Sequence, residues 1–398
     1  MALDRSSIAG LFWAVTPIFL FFSYHTPKKL WFLYFVLYLL LFFSAISFVP
    51  LGDNPASDYA FGTALYMGLI NFNFFILSDP HEEHWWVSPP KQDSSEKSTP
   101  KAKPIKYKDL SLRDRARWCI ENALCSRGIG WNWCIPHLPP GPPPNTSKIA
   151  FLRMTGPHLL KLYLLHDLSA TILSSITSKG QISLWSVNLP KRALAVLAFG
   201  TSVITLMQFG YYILCTSGVL TGLFWTRIED IISVMGKWSE CFTLRRFGGR
   251  IWHQNFRRSL QVPSRYIAHN IIRAPKGSQL YRHTQSYVAF LLSGLYHYLA
   301  AKMVLPTQSF NNTLLFFFLQ PNAFVLEDLL IWIGREKLGL RSQKWRFLGF
   351  VWTFGVLVVT AIGFVDDCVR NGIISTDPGF PLRVAGGVMT GEWIFWSS

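Results

Sequence analysis

The chain has 398 residues, half of them hydrophobic, 16% aromatic and only 15% charged, and its mean hydropathy is positive. That composition excludes an ordinary water-soluble domain and describes a multi-pass membrane protein. The formal net charge of +16 would suit a nucleic-acid partner, but no recognised nucleic-acid module accompanies it, so no nucleic acid is expected.

A helix needs about 20 apolar residues to cross roughly 30 Å of hydrocarbon. In chain order, eight segments approach that length: 8–24, 30–48, 59–77, 158–176, 193–216, 287–303, 312–334 and 345–364. The expected fold is therefore all-α, a multi-pass transmembrane helical bundle of about eight spans. The first segment follows Met-Ala-Leu-Asp-Arg without a small-residue cleavage site, and reads as a retained helix rather than a removed signal peptide. Residues 91–108 are rich in Ser, Lys and Pro without apolar periodicity, which marks a linker. Trp118, Ile120 and Leu124 among charges predict a short interfacial helix from Leu112 to Leu124. Pro139 to Pro144 is a stiff connector. Residues 381–396 are too short and glycine-broken for a span, although Trp393, Phe395 and Trp396 suit the interface. The organisation expected is N-terminal transmembrane helices over 1–80, a cytosolic loop with linker and interfacial helix over 81–157, and a transmembrane core over 158–398 with a cytosolic loop at 217–286.

Alternating the spans from a lumenal N-terminus sorts the charge. Lys28, Lys29, the loop after the third span, the 217–286 loop with 11 Lys/Arg against 3 Asp/Glu, and Arg335 to Arg346 fall on one side. Asp53, Asp58, Asp366 and Asp367 fall on the other. The positive-inside rule makes the basic side cytosolic, so most of the basicity reports topology. Six cysteines, at 119, 125, 134, 215, 241 and 368, form no CxxC pair, and four lie in cytosolic loops. Neither a disulfide framework nor a zinc site is expected.

The chemistry centres on His297, a lone imidazole in an apolar span. Helical spacing places Ser293, Gly294, Ala300 and Ala301 on its face, at i−4, i−3, i+3 and i+4. Small residues there permit close helix approach or leave a groove in which substrate and imidazole meet. Polar groups inside a span are costly and mark functional interiors, but a hydrogen bond to a neighbouring helix also accounts for such a histidine. Apolar surroundings disfavour a charged ring, and a neutral imidazole can act as a general base near pH 7.

Upstream, Arg245, Arg246, Arg250, Arg257 and Arg258 crowd Trp252 and His253. Guanidinium groups suit phosphate, as on a coenzyme A donor, and they equally suit anionic lipid headgroups. Glu327 and Asp328 lie in the seventh span; one acid could orient His297 or pair with an arginine, or the two could pack helices together. His166 and Asp167 in the fourth span carry the same two readings, and the structural one is favoured. His81-Glu82-Glu83-His84 has the i, i+3 spacing of a metal pair, but it is short and borders Trp85 and Trp86, so no metal is assigned. No Walker loop or dinucleotide fingerprint is present.

Arg250-Ile251-Trp252-His253-Gln254-Asn255-Phe256-Arg257 resembles the Arg-Trp-His-Gln signature of the wax synthase-like branch of the membrane-bound O-acyltransferases. Phe290-Leu291-Leu292-Ser293-Gly294-Leu295-Tyr296-His297 resembles that family's catalytic histidine helix, and Arg127-Gly128-Ile129-Gly130-Trp131 is similar to a third element upstream. The resemblance covers about residues 112–333. It implies acyl transfer from acyl-CoA to a hydroxyl inside a tunnel through the helical bundle, with His297 as general base. His253 stands where many relatives carry Asn or Asp, and its role stays open between positioning the donor, polarising the thioester and shaping the loop. Arg250, Trp252, Gln254, Asn255, Arg257, Ser293, Gly294 and Glu327 are the expected substrate- or CoA-binding residues, with Trp252, Gln254 or Asn255 as oxyanion donors.

Fungal members that acetylate terpenoid, meroterpenoid or polyketide alcohols are similar in length and layout. The expected co-substrate is acetyl-CoA, with no bound cofactor; the expected partners are membrane lipid and a hydrophobic alcohol acceptor, and the expected residence is the endoplasmic reticulum. Alternatives are a long-chain wax or sterol ester synthase, and a non-enzymatic transporter or lipid-binding protein. Against the last stands the absence of paired halves in the sequence.

Overall fold

The computed structural model describes residues 22, 25–48, 55–56, 58–59, 62–63, 77–87, 105–222, 227–252, 254–305, 307–340, 345–374, 383–391 and 393. Among the described residues the regular elements are helical, and the nearest thing to a sheet is one isolated bridge between Trp86 and Trp131. The main helices are α1 (Trp31–Phe48), α2 (Leu112–Leu124), α3 (Lys148–Thr177), α4 (Leu189–Thr221), α5 (Arg257–Tyr266), α6 (Gln279–Val304), α7 (Asn311–Trp332), α8 (Arg346–Arg370) and α9 (Val384–Thr390).

Among the described residues four helices are long and apolar enough to cross a membrane: Lys148–Thr177, Leu189–Thr221, Asn311–Lys337, which is α7 with its π-helical extension, and Arg346–Arg370. They carry the fourth, fifth, seventh and eighth expected spans. The second expected span is α1, with 18 residues. The first and most of the third lie outside the described residues. The sixth lies within α6, which has the length, at 26 residues, but not the apolar content. Ser293, Gly294, Tyr296, His297 and Tyr298 dilute its hydrophobic half. The chain is thus an all-helical membrane protein, and the described residues support four crossing helices where about eight were expected.

The chain divides into two compact units: residues 1–53, 60–136 and 255–289 form one, and residues 54–59, 137–254 and 290–398 the other. In the first, α2 begins where expected because Ser111 Oγ accepts from the Asp114 amide at 3.2 Å, an N-cap that satisfies an otherwise orphaned donor. It buries Trp118 and Cys119 against Tyr107 and Trp131, with Trp86 and Trp133 packed around them. Burial pushes the Cys119 thiol up to about 12, so it stays protonated.

In the second unit α3 and α4 form an antiparallel hairpin, capped at their starts by Ser147 and Asn188. His166 is buried between them, its Nδ1 3.2 Å from the Ser202 carbonyl and 3.3 Å from the Ser202 and Thr205 hydroxyls. Asp167 accepts from the Ala385 amide at 2.6 Å. Both residues therefore hold elements of the fold together. Asp366 on α8 accepts from the Leu184 amide at 2.7 Å and the Ser183 hydroxyl at 3.0 Å, which ties the hairpin's connection to α8. The core joins Leu173 of α3, Phe199 of α4, Ala301 of α6, Phe310, and Ile362 and Val365 of α8.

Candidate active site

His297 lies on α6 in the second unit, partly buried and enclosed by rings. Phe317 of α7 stacks on the imidazole with centroids 4.9 Å apart and planes 14° apart. Phe364 of α8 stands edge-on at 6.1 Å and 69°. The Tyr59 hydroxyl is hydrogen-bonded to His297 Nδ1. α6 and α7 can close on one another here because Gly294 is buried against Phe317. The small-residue stripe thus serves helix approach at Gly294, and Ala300 and Ala301 are buried with it. Ser293, one turn before His297, is partly exposed.

The arginine-rich segment of this unit begins with a short turn, Leu244–Arg246, followed by a π-helical turn, Phe247–Ile251. Glu327, 3% exposed, accepts from the Leu244 amide at 2.6 Å, the Arg245 amide at 3.3 Å and the Trp352 indole at 3.1 Å. Its carboxylate holds the start of this turn, where an acid beside the first amides is favourable. Asp328 pairs with Arg245 at 2.8 Å. The other end of the turn is fixed by backbone: the Gly236 amide donates to the Ile251 carbonyl at 2.9 Å. A Cβ on Gly236 would lie 1.9 Å from the Arg250 carbonyl oxygen, so only glycine fits there.

Arg246 and Arg250 share one carboxylate, Glu240, at 3.2 and 3.1 Å. The Arg250 hydrogen bond, with both guanidinium charges behind it, holds the Glu240 carboxyl below the usual carboxylate range. Two cations on one anion leave a net positive charge at a partly exposed position, which suits a phosphate. Trp252 packs on Phe247 at 5.5 Å and donates its amide to the Phe247 carbonyl at 2.8 Å. Gln254 is 2% exposed; its amide donates to the Val234 carbonyl at 3.0 Å and its Nε2 to the Trp252 carbonyl at 2.8 Å. His253 lies outside the described residues.

Between Gln254 and Asn255 the chain passes from the second unit to the first. There Asn255 Oδ1 accepts from the Ser126 hydroxyl at 3.5 Å and Arg257 Nη1 donates to the Pro136 carbonyl at 3.0 Å. Arg258 lies over the Trp133 ring at 4.0 Å and is 2.7 Å from His84 Nε2. His84 Nδ1 meets Asn122 at 3.0 Å, while His81 stacks on Tyr107 at 4.1 Å. The two histidines of the HxxH motif therefore serve different contacts. Among the described residues no group of three or more metal-ligating side chains gathers. Burial, then the Arg258 charge, lowers the His84 pKa to about 3, so the ring is neutral and can accept from Arg258.

Sequence reasoning passed over Tyr59 and Glu240. Tyr59 carries no local signal, because its contact with His297 spans 238 residues. Glu240 carries one: it is the sole acidic residue between Asp230 and Glu327.

A profile of the membrane bound O-acyl transferase family matches residues 232–319, which include both the arginine-rich segment and His297. The acetyltransferase eriL of Hericium erinaceus is 30% identical over 290 residues, covering 72% of this chain and 74% of that protein. The chain belongs to the membrane bound O-acyl transferase family. The acetyltransferase ple2 of Rhodocybe pseudopiperita is 29% identical over 292 residues, covering 71% and 74%. The O-mevalon transferase yanI of Aspergillus niger is 26% identical over 315 residues, covering 71% and 67%. No solved structure matches the chain significantly. Family and relatives together make this protein a membrane-bound acyltransferase.

Proposed function

We propose that the protein transfers an acetyl group from acetyl-CoA to a hydroxyl of a hydrophobic secondary metabolite, such as a terpenoid or meroterpenoid. The observation that carries this reading is His297, an imidazole held by Tyr59 and Phe317 on a helix of an apolar bundle. The names of the eriL and ple2 relatives support the acetyl donor.

In this reading His297 removes the acceptor's hydroxyl proton as the oxygen attacks the thioester carbonyl. The carbon–sulfur bond then breaks, and the imidazolium returns the proton to the departing CoA thiolate. A positioned base contributes typically 10²- to 10⁴-fold, and holding both substrates together supplies most of the remaining acceleration. Arg250 serves the donor's phosphates, and for Arg257 the same role rests on its place in the sequence motif alone. Trp252, Gln254, Ser293 and Gly294 shape the site and Glu327 holds the loop; Asn255 and His253 carry over from the sequence motif, with the role of His253 open between positioning the donor, polarising the thioester and shaping the loop. The positive-inside rule turns the basic loops to the cytosol, which supports donor supply from the cytosolic side; residence in the endoplasmic reticulum membrane is carried over from the family resemblance.

The test is free-thiol release by purified microsomes given acetyl-CoA or palmitoyl-CoA with a panel of terpenoid and long-chain alcohols. Release with acetyl-CoA and a polycyclic alcohol, lost in His297→Ala, is the expected result. Preference for palmitoyl-CoA would replace this reading with long-chain ester synthesis, and no alcohol-dependent release from either donor would overturn it.

A further inference from the structure

The imidazole of His297 has two nitrogens, and a neutral ring carries a proton on only one of them. Which nitrogen is left to act as base is decided by whatever the other one touches. Here Nδ1 is hydrogen-bonded to the Tyr59 hydroxyl. The two ring planes are only 20° apart while their centroids are 6.2 Å apart, so the phenol reaches the imidazole at its edge rather than over its face. An edge approach is the one a ring nitrogen can use, since its lone pair or N–H lies in the ring plane. Phe317 covers one face of the ring at 4.9 Å and Phe364 stands against it at 6.1 Å. Exchanging the two nitrogens by rotation would drive the imidazole through that packing. Tyr59 itself packs against the buried core that includes Ala301, Phe310 and Val365, which limits where its hydroxyl can sit.

We infer that Tyr59 is a positioning residue for the transfer: its phenolic oxygen accepts the His297 Nδ1 proton and leaves Nε2 as the base toward the acceptor hydroxyl. This rests on the general-base reading of His297. If the phenol donated instead, the imidazole proton would sit on Nε2 and that nitrogen could not receive another. During transfer the hydroxyl proton moves to Nε2, the oxygen–acyl bond forms and the thioester bond breaks. The Nδ1 proton stays in place throughout, shared more strongly with Tyr59 while the ring is cationic. Tyr59 neither gains nor loses a proton, so it acts only through His297.

The experiment replaces Tyr59 in the full-length enzyme in nanodiscs, with His297→Ala measured alongside and acetyl-CoA as donor. Tyr59→Phe keeps the ring and removes the acceptor oxygen. It is expected to lower kcat by roughly 10- to 100-fold, as for a lost hydrogen bond to a charged group, and to leave the donor KM within about twofold. Mono- and difluorotyrosine at position 59 keep both ring and hydroxyl but make the oxygen a progressively weaker acceptor, so kcat is expected to fall stepwise along that series. A purely structural tyrosine would give no such trend, and the series decides the matter even where Tyr59→Phe fails to accumulate. A flat or rising kcat across the series, or a wild-type kcat in Tyr59→Phe, would overturn the role given to Tyr59. If His297→Ala is inactive while the Tyr59 variants are normal, only this inference falls. Full activity of His297→Ala would remove the general-base reading and the role of Tyr59 with it.

Discussion

Gly294 and Phe317 approach so closely that a Cβ on Gly294 would lie 2.9 Å from the Phe317 Cβ. The side chain that constrains Gly294 is the one whose ring stacks on His297, so helix packing and imidazole alignment are one arrangement. Gly294→Ala must push Phe317 aside. Overpacking of this kind costs about 1–3 kcal/mol, and the variant is expected to show a lower Tm and a kcat reduced at least about tenfold. Combining it with Phe317→Leu should restore neither, because leucine keeps the Cβ and Cγ that the new methyl would meet, and the stacking partner of His297 is then missing. Thermal unfolding in detergent and steady-state kinetics measure both; a Gly294→Ala enzyme with normal Tm and kcat would contradict this packing.

His297→Ala removes a base without creating a charge. Turnover is expected to drop by at least about 10²-fold, with expression and membrane insertion unchanged. Quantitative immunoblotting of membranes beside the thiol-release assay separates the two effects.

Arg250 and Glu240 should act in opposite directions on the donor. Arg250→Ala is expected to raise the donor KM about two- to tenfold with less effect on kcat, as for loss of binding common to ground and transition states. Glu240→Gln removes the anion that competes for Arg246 and Arg250 and should lower the donor KM. Raising salt should compress both differences, since the pairs are partly exposed. An unchanged donor KM in both variants would assign these arginines to lipid headgroups instead.

His84 links stability to pH. Its folded pKa of about 3 lies below the ordinary value of 6.5, so between these the unfolded chain binds a proton that the folded chain refuses. The stabilisation is therefore complete above about pH 6.5 and is lost as pH falls. By pH 5 the loss is about 2 kcal/mol, from one proton and 1.5 pH units. His84→Gln, which can still meet Asn122 and Arg258 without titrating, should flatten the fall in Tm between pH 7 and pH 5. Equal slopes in both proteins would show that His84 does not couple to folding.

Much of this was legible where the physics is local. Trp118, Ile120 and Leu124 among charges marked the helix from Leu112 to Leu124, because an amphipathic pattern is read within a few residues. The same holds for the small residues around His297. Tyr59 was invisible, because no sequence period connects positions 238 residues apart. His81 and His84 have the i, i+3 spacing of a metal pair, to which no metal was assigned; they lie on a single turn, Pro80–Glu83, and its following residue. One ring turns to Tyr107 and the other to Asn122 and Arg258. The π-helical turn at Phe247–Ile251 was read only as a loop, since it depends on the distant Gly236 and Glu327.

The tie between Asp366 and the connection at Ser183 and Leu184 has a consequence for biogenesis. The α3–α4 hairpin leaves the ribosome long before its clamp, which is encoded 182 residues after Leu184. At about 5 to 20 residues per second that delay is roughly 10 to 40 s. During this interval the Ser183 hydroxyl and the Leu184 amide lack the acceptor that Asp366 provides in the folded chain. Because α8 carries Asp366 close to the end of the 398-residue chain, this clamp can form only once synthesis is nearly or fully complete, which makes it a late step of assembly.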